Sequence, residues 1–141
     1  MSIAKPNSVV VPVDFSTASF KAIDVAIEMA GSPECIHVVY VSPAPQSEAD
    51  YLRTTLTQKS TDRAKSELEK KLDELGYAGV DAIVDEGVAS DVIVATAEKL
   101  NAELIVIPSH SRSGLPKLFL GSVASQLLRA APCPVLVLRR T

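Results

Sequence analysis

The sequence predicts an α/β fold, a doubly wound five-stranded parallel sheet with helices on both faces, and three observations carry that prediction. Short β-branched apolar runs recur along the chain, separated by segments whose apolar residues fall at three- and four-residue spacing. The runs Ser8–Val13 and Leu104–Ile107 are almost continuously apolar, as strands covered on both faces must be. Strand and helix alternate four times and a last strand closes the series, the pattern of a parallel sheet joined by right-handed crossovers. At 141 residues the chain is read as a single Rossmann-like domain, 1–141, long enough to bury roughly two thirds of its unfolded surface.

Each element has its own local reason. Ser8–Val13 reads as a central strand, with Pro12 near its C-terminal end, where a missing ladder donor costs least. Ser16 or Thr17 can cap the helix that follows, whose face is Ala22, Ile23, Ala26, Ile27 and Ala30 and whose stop is Gly31. Cys35–Val41 is the second strand, ended by Ser42-Pro43. A long helix is expected from about Tyr51 to Leu75, with Leu52, Leu56, Ala64, Leu68, Leu72 and Leu75 inward and Gly76 as its left-handed stop. Val80, Ala82 and Val84 alternate with Asp81, Ile83 and Asp85, which places this strand nearer a sheet edge. Ser90 is a candidate cap for the next helix, and Asp91 in its first turn suits the helix dipole. Leu104–Ile107 is a buried strand that must end at Pro108. Beyond a polar loop, Val123, Ala124, Leu127, Leu128 and Ala131 form the face of a last helix with Ser122 as its expected N-cap, and Val135–Leu138 closes the sheet.

Composition removes several function classes. Net charge is −3 and no Lys/Arg stripe forms, so neither nucleic acid nor an anionic membrane is an expected partner. No apolar run approaches the roughly 20 residues of a membrane helix, and the N-terminal Met-Ser-Ile-Ala-Lys-Pro has no apolar core of a signal peptide, so the expected location is the cytoplasm. Cys35 and Cys133 each flank an apolar strand and read as reduced packing residues rather than a redox pair. His37 and His110 have no partners at ligand spacing, so no metal site is expected. A nucleophile elbow, a lysine-bearing phosphate loop and paired catalytic carboxylates are all missing, which argues against rapid catalysis.

What remains is a binding site. A strand delivering a polar loop to a helix start at Gly121-Ser122 converges unpaired N–H groups and the positive end of a dipole, suited to an anion. Gly121, Ser122 and Val123 can offer consecutive donors there, and Arg112 and Lys117 lie in the loop. Asp14 follows the first strand directly; its carboxylate either accepts hydrogen bonds from a ligand or stabilises the next helix start.

The segment Pro108, Ser109-His110, Ser111, nine residues, Gly121-Ser122 resembles the nucleotide-binding loop of the universal stress protein family: Gly, two residues, Gly, nine residues, then Gly followed by Ser or Thr. Pro108 and Ser111 replace the two upstream glycines. Leu120, the tail Ala130-Ala-Pro-Cys-Pro-Val-Leu-Val-Leu138 and the N-terminal Val13-Asp14-Phe15-Ser16 extend the resemblance over essentially the whole chain. It implies that strand order reverses between the first and fourth strands, and that ATP or a related adenine nucleotide binds there. The implied contacts are Pro12, Val13, Asp14 and Phe15, then Val41, then Ile107, Pro108, Ser109, His110, Ser111 and Arg112, then Gly121, Ser122, Val123 and Ala124, with Mg on the phosphates near Asp14 and Ser122. A homodimer through Val135–Leu138 is implied as well, and a bare apolar edge strand independently asks for a partner. The expected function is a small regulatory protein responding to stress. Loss of the two glycines keeps a second reading open, a dimeric interaction protein of the same fold that binds no nucleotide; an adenine-nucleotide-dependent enzyme ranks below both.

Overall fold

The computed structural model describes residues 5–43, 47–50, 52, 60–109 and 121–139. The strands are β1 (Val9–Val13), β2 (Ile36–Ser42), β3 (Asp81–Glu86), β4 (Leu104–Pro108) and β5 (Val135–Leu138). Among the described residues the helices are α1 (Thr17–Ala30), α2 (Ser60–Glu74), α3 (Ala89–Lys99) and α4 (Ser122–Ala130), with further helical residues at 48–50 and 52 and a 3-10 turn at Pro33–Cys35. All five strands run parallel in the order β3-β2-β1-β4-β5. The order reverses between β1 and β4, and β1, at the centre, is buried from Val9 to Val11.

Side-chain alternation along the strands sorts the core into two layers. Val9, Val11, Val13, Ile36, Val38, Leu104 and Val106 meet Phe20, Ala22, Ile23 and Ala26 of α1 and Leu68 and Leu72 of α2. Val10, Val39, Ile105 and Ile107 point the other way, onto Ile93 and Ala97 of α3 and Ala124 and Leu127 of α4. Cys35 packs against the first layer and Cys133 against the second. The sheet therefore lies between the two thiols, which accounts for their being free, and burial pushes the Cys133 thiol up.

Several local expectations change. Ser16 does cap α1, accepting from the Ser19 N–H at 3.2 Å, and Gly31 closes it in the left-handed region at φ 82. The N-cap of α4 is Gly121 rather than Ser122, and that of α3 is Val88 rather than Ser90; neither makes a side-chain cap bond. Ser90 instead lies in the first turn of α3, buried. Pro108 belongs to β4, held there by its pairing with Leu138 of β5, to which the next residue, Ser109, donates its N–H. Within the expected long helix, Leu68 and Leu72 are buried as predicted, but Leu52 and Leu75 are exposed; Leu75 lies beyond the end of α2. Leu56 falls outside the described residues. Leu128, assigned to the inner face of α4, is half exposed. β3 is an edge strand, as its alternation predicts.

Candidate functional site

The β1–β4 ladder is short, and two prolines explain why. Its register covers Val9↔Leu104 and Val10↔Ile105. The Ile105 and Ser109 N–H groups donate to β5, at Pro134 and Leu138 (3.0 and 2.9 Å), so by alternation residues 106 and 108 face β1. Val10 likewise faces β4, and so does residue 12. The next two rungs would need the N–H groups of Pro12 and Pro108, and neither exists. The strands part where the strand order reverses, at the edge where ligands enter open α/β sheets.

A cavity of about 450 Å³ occupies that gap, within the size range of small-molecule sites. Pro12, Val13 and Asp14 border it from β1, Val39, Tyr40 and Val41 from β2, and Ile107, Pro108 and Ser109 from β4 and its exit. Ala89 and Ile93 of α3 form one wall, while Gly121 and the first turn of α4 form another. Most of this lining is apolar, and Asp14 is the charged side chain among the described lining residues.

Hydrogen bonds shape the two polar corners. At the first, the Asp14 carboxylate Oδ1 accepts from the Ser16 N–H (3.0 Å), and Asp14 N–H donates to Ser19 Oγ (3.3 Å). Ser19 Oγ in turn donates to the Ser16 carbonyl at 2.9 Å, so three residues lock the exit of β1 to the start of α1. At the second corner, Gly121 N–H donates to the Ser109 carbonyl at 2.8 Å. That bond corrects the expectation that Gly121 offers its N–H to a ligand, since the helix start is tied back to β4 instead. The first intrahelical bond of α4 runs from Ser125 N–H to Gly121, so Ser122, Val123 and Ala124 supply the open N–H groups of the first turn. Gly121 has φ −64, a backbone that any residue adopts.

Of the residues predicted from sequence, Pro12, Val13, Asp14, Val41, Ile107, Pro108, Ser109, Gly121, Ser122, Val123 and Ala124 meet around the cavity. Phe15 does not line it; its ring turns to the opposite layer, against Phe20 and Tyr40. His110, Ser111, Arg112 and Lys117 lie outside the described residues. Sequence reasoning missed Ser19, Val39, Tyr40, Ala89 and Ile93. The Ala89/Ile93 spacing of one helical turn was available as a signal, but it reads equally well as ordinary core.

The profile of the universal stress protein family matches residues 6–139. This chain belongs to that family. A universal stress protein of Methanocaldococcus jannaschii is 34% identical over 141 residues, spanning 95% of this chain and 82% of the relative. One of Coxiella burnetii is 34% identical over 134 residues, or 88% and 90% of the two chains. Among solved structures, the universal stress protein of Lactobacillus plantarum superposes with a TM-score of 0.76 at 23% identity, covering 96% of this chain and 99% of that one. An Arabidopsis thaliana family member with AMP bound has a TM-score of 0.60 at 20% identity, covering 96% and 93%. A universal stress protein in complex with cAMP gives 0.61 at 22%, covering 96% and 98%. These structural likenesses establish the doubly wound fold.

Proposed function

We propose that this universal stress protein binds ATP or a related adenine nucleotide in the cavity between β1 and β4 and acts as a small cytoplasmic regulatory module of the stress response. The observation that carries the reading is the pairing, in one cavity, of an apolar slot with the open first turn of α4. The slot, walled by Val39, Val41, Ile93 and Ile107, suits a flat base. The Ser122, Val123 and Ala124 N–H groups suit phosphate, and Asp14 is placed to accept from ribose or base. The neighbours bound to AMP and cAMP support the same ligand class. Asp14 and Ser122 offer Mg one carboxylate and one hydroxyl, hard oxygen donors that fit the ion, but too few to hold it without the phosphates. Among the described residues no helix is long and apolar enough to cross a membrane, and no cluster of three His, Cys, Asp or Glu forms a metal site.

The two sheet edges favour a homodimer through one of them. β3 presents Asp81, Asp85 and Glu86, all exposed, whose like charges oppose pairing with a copy of itself. β5 is a half-buried Val-Leu-Val-Leu edge without charge, and the half-exposed Leu128 adds to the apolar surface of the chain.

Two observations favour the second reading, an interaction protein that binds no nucleotide: Pro108 presents no N–H to the cavity, and the Gly121 N–H is already bonded. Melting the purified protein with and without Mg-ATP separates the two. A nucleotide at a hundredfold excess over its Kd adds about 2.7 kcal/mol of stability. No shift at millimolar Mg-ATP, together with no adenine nucleotide released on denaturation, rejects nucleotide binding.

A further inference from the structure

Phe15 has a backbone that its side chain opposes. Its φ is 67, and among the described residues the other non-glycine at positive φ is Asn101, a type that tolerates the left-handed region. A phenylalanine there is strained, and such strain persists only where the surroundings over-determine it. The surroundings are on both sides of the residue. The ring sits edge-on to Tyr40 (centroids 5.0 Å, 77°) and to Phe20 (5.8 Å, 77°). The backbone before and after it is pinned by the Ser16 N–H bond to the Asp14 carboxylate and the Asp14 N–H bond to Ser19.

The placement of those contacts is what matters. Val13 pairs with Tyr40 in the sheet, so Phe15 stands just past the last β1–β2 rung. Tyr40 and Asp14 both border the cavity, whereas Phe15, still 37% exposed, does not line it and sets its ring against Tyr40 and Phe20, which belong to the layer packed on α1. A glycine would adopt φ 67 without strain but would leave the turn free and the end of β2 without its edge contact. Phenylalanine accepts the strain and defines one conformation.

We propose that Phe15 is a positioning residue of the site: its left-handed backbone sets the direction of the Asp14 carboxylate, and its ring clamps the end of β1 against the end of β2. The inference rests on the adenine-nucleotide reading for its affinity test and not for its structural one.

The test is a double-mutant cycle with ATP affinity as the readout. Phe15→Gly and Phe15→Ala each weaken ATP binding about tenfold, the scale of one aromatic pair, whereas Phe15→Tyr retains wild-type affinity. In an Asp14→Asn background the same Phe15 substitutions have no further effect, because Phe15 acts through Asp14. A purely structural role predicts equal losses in both backgrounds and overturns the proposal. The second arm needs no nucleotide: by NMR hydrogen exchange, the Ser16 amide exchanges at least about tenfold faster in Phe15→Gly than in wild type, while amides of the buried β1 are unchanged. An unaltered Ser16 amide overturns the positioning role whatever the ligand. Failure of the wild type itself to bind ATP overturns the functional reading alone, and the exchange measurement then decides the role of Phe15.

Discussion

Replacing Ser19 with alanine tests how the exit of β1 is held. The residue is buried at 2% exposure and borders the cavity. Its hydroxyl makes two bonds, accepting from Asp14 N–H at 3.3 Å and donating to the Ser16 carbonyl at 2.9 Å. Alanine removes both, while the cap bond from the Ser19 N–H to Ser16 Oγ survives, so the start of α1 itself is spared. At about 0.5–1.5 kcal/mol net for each bond, the loss is about 1–3 kcal/mol. Most of it falls at the turn, because little side-chain volume is removed and no large cavity forms. Urea denaturation with an unchanged m-value reports it directly, and the melting temperature falls by roughly 3–12 °C for a chain of this size. Asp14 loses the bond that holds its backbone N–H, so the residue is positioned less firmly and ATP affinity falls with stability. A loss below about 0.5 kcal/mol, with affinity intact, refutes the idea that this hydroxyl locks the turn, since such a value is within the range of an ordinary surface change.

Three further outcomes follow from the same structure. Burial, reinforced by the Asp24 carboxylate, raises the Tyr77 phenol from its ordinary 10.0 to about 12 in the fold, where its OH donates to the Phe20 carbonyl at 3.3 Å. A raised folded pKa means stability that is complete below about pH 10 and is lost as pH climbs toward 12; Tyr77→Phe should flatten that alkaline limb in a pH series of denaturation curves, and an unchanged limb would exclude Tyr77 as its cause. Ala124→Leu, which adds three carbons to a residue at 4% exposure on the cavity wall, should abolish the Mg-ATP thermal shift while costing about 1–3 kcal/mol through overpacking; a retained shift would move the ligand elsewhere. Val137→Lys on the half-buried β5 edge should yield monomer or insoluble protein by light scattering, and a dimer of unchanged mass would place the interface on another surface.

The fold was legible in sequence because its strands differ in kind. The continuous apolar runs of β1 and β4 read as central and the alternation of β3 as nearer an edge, in agreement with the order β3-β2-β1-β4-β5, while the reversal between β1 and β4 was implied by the family resemblance. Helix starts were read less well: Ser122 and Ser90 were expected to cap, yet the chain enters each helix one or two residues earlier, at Gly121 and Val88. Cap identity depends on the entry angle of the preceding loop, which composition does not encode.

The sequence by itself determined that the chain is doubly wound, that Asp14 and Gly121-Ser122 stand at strand and helix ends, and that Pro12 and Pro108 cannot donate. Those properties belong to single residues or to their spacing. Only the tertiary structure decided that the two prolines face each other across the same gap, so that missing donors on two strands 96 positions apart open one cavity. It also assigned the Gly121 N–H to Ser109 and turned the Phe15 ring away from the cavity onto Tyr40. Each of these is set by register and by which sheet face a side chain takes, and a one-residue shift in either would reverse it.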